Sequence, residues 1–403
     1  MKFKRIGSWE KVWLSISLLV LIITMSFGAN AVQNQSLQIS MPQIKDDLTP
    51  HGEINIFTDE DFGLSGYNFP GDGSSGNPYR IENYNITGAA FGILIDGSGS
   101  FSGFNVSFVI QNCWITADDV CIWIIDAYPS LVKIHNCTCV NTHVGNGIGI
   151  WLQRCDGALL TENYCKYNLH SGIRIDMCGG IFAENNTCYN NGDEGFYIDN
   201  ASDNGMYKRN QVLFNGGHGI INEVSHNNVF IYNTIANNTF EGIYISTSML
   251  ITLSNNSIET NGIGSSARGI YYSNSPNGLV IYNNIIGNEG YGLTIDHVTD
   301  SAIIHHNNFV QNNMGGVQAE EDFIPGHINA IWYDVARLEG NYYSDYGGSG
   351  PYSIDGTAAN TDPYPLGAMV DITGIVPEYP LNLIGFITLL SVIGLAIIII
   401  KRK

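Results

Sequence analysis

Residues 163–199, NYCKYNLHSGIRIDMCGGIFAENNTCYNNGDEGFYID, contain the pattern that decides the fold. The stretch opens with an Asn, then a Cys two positions later, then a second Asn, and it continues into Gly172-Ile173-Arg174-Ile175. The same order of residue types returns 23 positions later and ends in Gly195-Phe196-Tyr197-Ile198. Self-similarity at a fixed period of 20–50 residues is typical of solenoids, in which each repeat forms one coil.

Three columns extend this repeat along the chain, at steps of 23 to 28 residues. The apolar column is Ile115, Cys139, Cys165, Cys188, Val212, Ile235, Ile258, Ile286 and Val310. Two positions earlier lie Cys113 and Cys137, and then Asn163, Asn186, Asn210, Asn233, Asn256, Asn284 and Asn308, which we predict to form a structural asparagine ladder. Three positions after the apolar column come Asn168, Asn191, Asn215, Asn238, Asn261, Glu289 and Asn313.

The residue types in these columns predict the geometry of a coil. Short β-branched runs of period two form strands, and Asn or Gly ends each one. Asn tolerates left-handed backbone and bonds neighbouring peptide groups, which suits tight corners. We therefore predict an all-β fold for residues 50–366 with their end caps. It is a single-stranded right-handed parallel β-helix, a solenoid of about ten coils of roughly 24 residues each.

Both ends of the chain carry segments that we predict to lie outside this fold. Residues 1–31 have a basic start, an apolar run and Ala29-Asn30-Ala31, which predicts a signal peptide, with an uncleaved anchor as the alternative. Residues 381–400 are uncharged and long enough to cross a bilayer as a C-terminal transmembrane helix. Residues 401–403 are the basic cytoplasmic tail, so we expect a single-pass cell-membrane protein with its β-helix outside the cell. Residues 32–49 and 367–380 are predicted to be an N-terminal and a juxtamembrane linker.

Charge narrows the classes of partner. Without the two ends the chain keeps 10 basic and 36 acidic residues, which is a net charge near −26. Such a field repels nucleic acid and polyanionic glycans and attracts cations. We therefore expect no nucleic-acid partner.

Two terminal motifs carry a family resemblance. NPYRIENYNITG at 77–88 and GNYYSDY…PYSIDG…DPYPL within 340–366, together with the coil pattern, resemble the NosD-like right-handed β-helix proteins. That family belongs to the carbohydrate-binding and sugar-hydrolase group of β-helices, which also includes the pectate lyases. The resemblance covers roughly 50–366 and implies the fold and a binding, accessory or catalytic role. This chain lacks the Asp-rich DGDG-type segment of the family near its C-terminal motif, so the resemblance implies no cation site there.

The middle residue of each Gly-apolar-x-apolar strand should point outward, because side chains alternate along a strand. That position is occupied by Trp123, Gly149, Arg174, Tyr197, Ile221, Tyr244, Tyr271 and Thr294. Aromatic rings spaced by one coil suit the apolar faces of sugars. We predict that glycans bind to Trp123, Arg174, Tyr197, Tyr244 and Tyr271. The alternative is that β-sheets simply favour aromatic residues.

An acidic column follows the same strands: Asp96, Asp176, Asp199, Glu223, Asp296 and Glu320. Carboxylates one coil apart either bind a cation or share protons, so Asp176, Asp199 and Glu223 are calcium candidates. Carboxyl pairs would also suit a glycoside hydrolase, and Arg174 beside Asp176 could serve a polysaccharide lyase as base. Ordinary solvated Asp at the turns is the remaining interpretation. No complete catalytic set stands out, so we assign no catalytic residue and leave open whether the protein is an enzyme.

The histidines His305-His306, His135 and His226 share no column, so the sequence predicts no metal-ligand set among them. The eight cysteines lie between residues 113 and 188. In an extracellular protein, Cys113–Cys137 and Cys155–Cys178, each pair in consecutive coils, are disulfide candidates. Buried reduced thiols are the alternative. Eight Asn-x-Ser/Thr sequons, at Asn34, Asn85, Asn105, Asn136, Asn185, Asn200, Asn237 and Asn255, predict a glycoprotein in which only some sites are used.

Together these features favour a membrane-anchored surface protein that binds glycans or serves a structural role in the cell envelope. A polysaccharide lyase or glycoside hydrolase acting on the first-strand face is the alternative. The family resemblance adds a third possibility, a NosD-like accessory protein for a metalloenzyme. Polysaccharide or envelope glycans and the membrane are the expected partners, and Ca²⁺ is the only cofactor the residues suggest.

Overall fold

The structure is a computed structural model that describes residues 47–88, 90–99, 103–127, 132–140, 142–296, 301–322 and 328–372. All of these belong to one compact unit, residues 39–403. The predicted signal peptide, the predicted transmembrane helix 381–400 and the basic tail lie outside the described residues, as do parts of both predicted linkers. Within the described ranges, no helix has the length and apolar character needed to span a bilayer.

The strands, numbered in chain order, form three parallel sheets. Sheet 1 contains β2 (Ile54–Ile56), β5 (Phe91–Asp96), β8 (Val120–Ile125), β11 (Ile148–Gln153), β14 (Ile173–Asp176), β17 (Phe196–Asp199), β20 (Ile220–Glu223), β23 (Ile243–Ser246), β26 (Ile270–Ser273), β29 (Leu293–Asp296) and β32 (Ala319–Glu321). Sheet 2 contains β3 (Tyr79–Glu82), β6 (Phe108–Gln111), β9 (Val132–His135), β12 (Leu159–Thr161), β15 (Phe182–Glu184), β18 (Met206–Lys208), β21 (Val229–Ile231), β24 (Thr252–Ser254), β27 (Leu279–Ile281) and β30 (Ile303–His305).

Sheet 3 contains β1 (Thr49–His51), β4 (Tyr84–Thr87), β7 (Trp114–Thr116), β10 (Thr138–Val140), β13 (Tyr164–Lys166), β16 (Thr187–Tyr189), β19 (Gln211–Leu213), β22 (Thr234–Ala236), β25 (Ser257–Glu259), β28 (Asn284–Ile286), β31 (Asn308–Val310) and β33 (Tyr342–Tyr343). A small antiparallel pair, β34 (Tyr352–Ser353) and β35 (Thr361–Asp362), and two short 3₁₀ segments, Asp59–Phe62 and Asn313–Gly315, complete the described elements. Ten coils contain one strand from each sheet, stacked in nine steps, so the predicted all-β parallel β-helix is confirmed.

The core is a set of inward columns, one apolar residue from each strand. In sheet 3 the register joins Ile115, Cys139, Cys165, Cys188, Val212, Ile235, Ile258, Ile285 and Phe309. The predicted column is therefore wrong at its last two members, Ile286 and Val310, by one residue. A one-residue shift turns a strand's side chains to the opposite face.

The same shift corrects the asparagine ladder. Its members bond from coil to coil through Asn163, Asn186, Asn210, Asn233, Asn256, Asn283, Asn307 and Asn341. Asn284 and Asn308, predicted as rungs, are not part of it. They lie on the outer side of sheet 3, where Asn308 Nδ2 donates to Asn284 Oδ1 over 2.7 Å. Asn308 also bonds the backbone of Val370, so part of the predicted juxtamembrane linker packs on this sheet.

A second ladder lies at the corner between sheets 3 and 1. It runs through Asn168, Asn191, Asn215, Asn238, Asn261, Asn288 and Asn312. Each amide occupies the space a Cβ would need on the glycine that begins the sheet 1 strand one coil earlier. An ideal Cβ on Gly172 would come within 2.8 Å of Asn191 Nδ2, so the repeated Gly at this position allows the ladder to form.

Left-handed backbone occurs one residue before the rungs of both ladders, except before the last rung, Asn341. Asn185 precedes the rung Asn186 with φ 57°, and bulky residues such as Phe214 and Val224 adopt the same conformation elsewhere. A non-glycine residue pays roughly 1–2 kcal/mol for this geometry. The buried hydrogen bonds of the adjacent rung offset that cost, because each rung satisfies backbone and side-chain groups of the preceding coil.

A third ladder, which the sequence analysis missed, turns the corner between sheets 1 and 2. It consists of Cys155, Cys178, Ser202, Ser225, Ser248 and Ser275, in which each backbone N–H donates to the side chain one coil on. The two cysteines are thus rungs of a serine-type ladder. Cys113 and Cys137 likewise precede Asn163 in the first ladder, and Cys137 N donates to Asn163 Oδ1 over 3.0 Å.

The predicted disulfides are absent. All eight cysteines lie in described residues, and each one is free and buried. In-register stacking explains this, because it points the Cβ atoms of consecutive coils in parallel instead of toward each other. Five of the sulfurs instead contact backbone carbonyls, those of Cys113, Cys121, Cys137, Cys155 and Cys178. Cys155 Sγ, for example, lies 3.3 Å from Gln153 O and 3.5 Å from Ile124 O.

Candidate functional site

The outward side of sheet 1 carries the predicted glycan-binding residues in a single column. The strand register aligns Leu94, Trp123, Trp151, Arg174, Tyr197, Ile221, Tyr244, Tyr271, Thr294 and Glu320. All five predicted residues therefore share one face. Glu320 belongs to this column opposite Thr294, and not to the acidic column where we had placed it.

The N-terminal part of the column is a continuous stack. The rings of Trp123 and Trp151 have centroids 4.5 Å apart and planes within 4° of each other. The guanidinium carbon of Arg174 lies 5.0 Å from the ring centroid of Trp151 and 5.0 Å from that of Tyr197. Because the coil spacing equals a stacking distance, these groups cover each other's faces and present their edges outward.

The stack contains three unpaired donors. Nε1 of Trp123, Nε1 of Trp151 and Nε of Arg174 are buried and find no hydrogen-bond acceptor within the described part of the chain. Buried N–H groups are normally paired, since an unpaired one costs free energy. Three of them in adjacent coils form an unsatisfied polar cluster inside the stack.

Trp151 was missed by the sequence analysis, which placed Gly149 in the outward column. The coil contains two overlapping matches to the strand motif, Gly147-Ile148-Gly149-Ile150 and Gly149-Ile150-Trp151-Leu152. The structure uses the second match, because Gly149 occupies the crowded corner next to Asn168 Nδ2. The sequence therefore contained the necessary signal. The match that begins at Gly149, the glycine beside the second ladder, predicts Trp151 as the outward residue.

Farther along, Tyr244 and Tyr271 form a second aromatic pair. Their ring centroids are 5.5 Å apart and their planes are tilted by 41°. The ring centroid of His218 lies 5.3 Å from that of Tyr244 on this face. Ile221 separates this pair from Tyr197. The guanidinium carbon of Arg268 lies 4.7 Å from the Tyr271 centroid and covers one side of that ring. The column is therefore two aromatic segments joined by an aliphatic residue.

Carboxylates accept hydrogen bonds from the tyrosine hydroxyls of this face. Tyr197 OH donates to Glu223 over 3.3 Å, and Tyr271 OH donates to Asp296. Burial, together with the charges of Asp199 and Glu223, raises the pKa of Tyr197 to about 12. Burial and the Asp296 carboxylate likewise raise the pKa of Tyr271. Both hydroxyls are therefore protonated donors at neutral pH.

Two of the three predicted calcium ligands share a hydrogen-bond donor, and the third has a different one. Asp176 and Asp199 are paired in register and are 5% and 9% exposed. The Asn200 amide bridges them, with Nδ2 2.9 Å from an Asp176 oxygen and 3.0 Å from an Asp199 oxygen. Glu223 is the acceptor of Tyr197. The structure thus places an amide donor between the first two carboxylates.

A different group of metal-ligand side chains comes together at the corner between sheets 2 and 3. Ligand atoms of His305, His306 and Asp334 all lie within 4.8 Å of one another, and the three residues are buried. Burial and the neighbouring His306 lower the pKa of His305 to about 4, so this imidazole is neutral at pH 7. The prediction that the histidines share no ligand set was wrong for this pair, because Asp334 is distant in sequence.

Comparison with known proteins agrees with the coil architecture. Residues 111–267 match the model of the family described as "Periplasmic copper-binding protein (NosD)", and residues 205–330 match that of "Right handed beta helix region". This part of the chain is a right-handed parallel β-helix that is similar to the NosD family. No curated protein matches the chain.

Three solved structures align with this β-helix. The enzymatically active domain of bacteriophage CBA120 tailspike protein 2 is 13% identical with a TM-score of 0.46, over 65% of this chain and 42% of that one. The A-module of Azotobacter vinelandii mannuronan C-5 epimerase AlgE6 is 13% identical with a TM-score of 0.42, over 72% and 88%. The periplasmic alginate epimerase AlgG is 16% identical with a TM-score of 0.36, over 63% and 71%. The chain spans less than half of the tailspike domain's length.

The description of the NosD family names copper, which is bound through His, Cys or carboxylate ligands that converge. Within the matched segment 111–267, the described part holds no three His, Cys, Asp or Glu ligand atoms that converge within 4.8 Å. His305, His306 and Asp334 lie beyond that segment. Two imidazoles and a carboxylate are donors that copper(II) accepts, so this corner fits such an ion.

Proposed function

We propose that the sheet 1 face of this NosD-like β-helix binds an uncharged polysaccharide at the outer surface of a cell membrane. The observation that carries the proposal is the outward column of Trp123, Trp151, Arg174, Tyr197, Tyr244 and Tyr271, in register over seven coils and interrupted once, by Ile221. A repeating row of similar groups suits a repeating ligand, because each sugar unit meets the same kind of contact one step farther along.

The sheet 1 face contains the two kinds of group by which proteins bind sugars, aromatic surface and hydrogen-bonding side chains. The partly exposed rings of Tyr244 and Tyr271 supply apolar surface for a pyranose face. The Tyr197–Glu223 pair combines a hydroxyl donor with a carboxylate acceptor, and neighbouring sugar hydroxyls can bond to both. The stacked rings of Trp123 and Trp151 extend the same face toward the N-terminal coils.

Electrostatics selects among glycans. The chain carries 37 acidic and 17 basic residues, and Asp176, Asp199 and Glu223 line the edge of the face. A polyanionic glycan would be repelled along its whole length, whereas a neutral one would not. The partner we infer is therefore a neutral polysaccharide of the cell envelope or of the surroundings.

Membrane attachment is the second part of the proposal. Its support is the uncharged segment 381–400 followed by Lys401-Arg402-Lys403, and the signal-like residues 1–31. With this topology the face is presented on the outer side of the membrane, where polysaccharides occur. Val370 and Ile372 lie on the outer side of sheet 3 and at its corner with sheet 2, where Asn308 Nδ2 donates to Val370 O over 2.8 Å and Asn255 Nδ2 donates to Ile372 O over 3.2 Å.

A binding role is favoured over lyase chemistry by the surroundings of Arg174. Two aromatic faces enclose its guanidinium at 5.0 Å each, and such contacts stabilise the cation. A lyase base must accept a proton, which a stabilised guanidinium does poorly. Arg174 is therefore a stacking residue in this proposal.

A glycan array tests the proposal when it is probed with the full-length chain in detergent, with and without Ca²⁺. The expected result is binding to neutral polysaccharides and none to polyanionic ones. A reducing-end assay on each bound glycan should show no new chain ends. Binding confined to charged glycans would refute the proposal, and release of new ends would identify a hydrolase or lyase instead.

A further inference from the structure

We propose that His305, His306 and Asp334 bind one divalent transition-metal ion at the corner between sheets 2 and 3. Their ligand atoms lie within 4.8 Å of one another, and the residues are only 6%, 6% and 7% exposed. Imidazole with carboxylate suits copper(II), zinc and nickel(II), and copper(II) should bind most tightly in the usual order of divalent affinities.

The two imidazoles are already turned toward each other. His305 Nδ1 and His306 Nδ1 are 2.6 Å apart, so a single proton lies between two ring nitrogens. A metal ion replaces that proton, since ligating nitrogens must be deprotonated. His306 Nε2 lies 2.8 Å from Glu339 Oε2. A carboxylate that accepts from the far ring nitrogen fixes the tautomer and directs Nδ1 toward the metal.

Asp334 supplies a carboxylate oxygen that the protein itself does not satisfy. Oδ1 accepts from the backbone N–H groups of Ala336 and Arg337 at 2.8 and 3.3 Å. Oδ2 is buried and accepts no hydrogen bond among the described residues. Its nearest cation is Arg337 Nη1 at 3.6 Å. The Arg337 side chain is 44% exposed, so it can turn toward solvent when a metal ion neutralises the Asp334 carboxylate in its place.

The surrounding backbone holds these groups in place. Asp334 N donates to Glu339 O over 2.7 Å, and Leu338 N donates to Asp334 O over 2.8 Å, which closes a short loop. The carboxylates of Asp334 and Glu339 therefore belong to one short segment whose backbone is held by hydrogen bonds. The ring of Tyr282 packs on His306 with centroids 4.9 Å apart and planes 24° apart. Prepositioned ligands bind a metal more tightly than mobile ones.

This site is separate from the sheet 1 face, because none of its residues belongs to sheet 1. The proposal therefore stands or falls independently of glycan binding. The family resemblance implied an accessory role for a metalloenzyme. These three residues are a ligand set in this chain that such a role could use. The set lies outside residues 111–267, the segment that matches the copper-binding family.

The test uses the full-length chain in detergent, stripped with a chelator and titrated with Cu²⁺ alone in a calorimeter. We expect one equivalent to bind, confirmed by elemental analysis after gel filtration. Asp334→Asn keeps the Oδ1 contacts and the shape but removes the charge, and should raise the Kd at least tenfold. His306→Ala should do the same. His170→Ala removes an exposed His–Asp pair in an earlier coil and should leave the Kd unchanged.

The paramagnetic resonance spectrum of bound Cu²⁺ gives a second readout. Coupling to two imidazole nitrogens is expected in the wild type, and coupling to one in His306→Ala. If that variant does not fold, the isosteric Asp334→Asn variant still decides the matter. Failure of the wild type to bind one equivalent, or equal affinity in wild type and Asp334→Asn, would overturn the proposal.

Discussion

Asn283 Oδ1 accepts two hydrogen bonds from Asn256, one coil earlier, from its backbone N at 2.9 Å and from its Nδ2 at 3.0 Å. Asn283 Nδ2 in turn donates to Leu253 O and to Asn307 Oδ1, both at 2.9 Å. One buried amide therefore connects three coils. The residue next to it in sequence, Asn284, points out of the solenoid and takes no part in this ladder.

The first prediction compares these two neighbours. Asn283→Ala leaves donors and acceptors of the adjacent coils buried without partners, and should cost about 3 kcal/mol or more of the free energy of unfolding. Asn284→Ala loses one outer contact and should cost less than about 1 kcal/mol. Denaturant titration followed by circular dichroism measures both. Equal losses in the two variants would show that the ladder does not follow this register.

The ladder also shows up to which coil the sequence periodicity predicts the rungs correctly. From Asn163 to Asn256 the coils repeat at 23 or 24 residues, so one column predicts the rungs correctly. The next coil is longer, through its 262–268 loop, and the following rungs occur in pairs of adjacent polar residues such as Asn283-Asn284 and Asn307-Asn308. Either member fits the pattern, and only three-dimensional pairing decides between them.

The metal corner could not be predicted from spacing in the sequence. Asp334 belongs to the loop of residues 334–339, which follows the regular coils and has no periodic pattern. Only the folded structure brings it close to His305. The serine ladder is different. Ser202, Ser225 and Ser248 recur every 23 residues in the sequence. Because serines are common at turns, this spacing was not interpreted as a ladder.

The second prediction concerns the cysteines. Cys178 Sγ accepts from Cys155 N and donates to Asp176 O, the contacts that Ser202 Oγ makes one coil later. Cys178→Ser should therefore change the free energy of unfolding by less than about 1 kcal/mol. Cys165→Ser puts a hydroxyl into the apolar column and should cost about 1–3 kcal/mol.

Thiol counting checks the same account. Burial raises the pKa of Cys139, Cys178 and Cys188, so these thiols are protonated and unreactive in the folded state. A thiol reagent should detect few groups in the native protein and eight after unfolding without reductant. Fewer than eight in the unfolded protein would restore the disulfide hypothesis.

The third prediction uses the raised pKa of Tyr197. Burial and the nearby carboxylates place this pKa near 12, above the usual value of 10. The group therefore stabilises the fold fully below about pH 10, and that contribution is lost as the pH rises toward 12. The ultraviolet difference between wild type and Tyr197→Phe should show a phenol that ionises near pH 12. In Glu223→Gln the same phenol should ionise at lower pH. A difference spectrum that titrates at pH 10 would contradict the Tyr197–Glu223 contact.

The fourth prediction is the calcium site at Asp176, Asp199 and Glu223. Asn200 now donates to the first two carboxylates, so calcium must turn that amide to use its oxygen, and binding should be weak. We expect a rise in melting temperature only at millimolar Ca²⁺, and no rise in Asp199→Asn. A wild-type melting temperature that is unchanged by Ca²⁺ would rule the site out.

The central claim is that sheet 1 is the glycan-binding face, and one affinity comparison tests it most directly. The variant Tyr197→Ala/Tyr244→Ala/Tyr271→Ala removes aromatic groups from sheet 1. The matched control Tyr164→Ala/Tyr167→Ala/Tyr189→Ala removes three tyrosines from sheet 3 and the corner beside it. Kd values are measured for the neutral polysaccharide found on the array, with circular dichroism to confirm folding. We predict at least a tenfold rise in Kd, about 1.4 kcal/mol, for the sheet 1 variant and none for the control. Equal affinity in the wild type and the sheet 1 variant would contradict the claim.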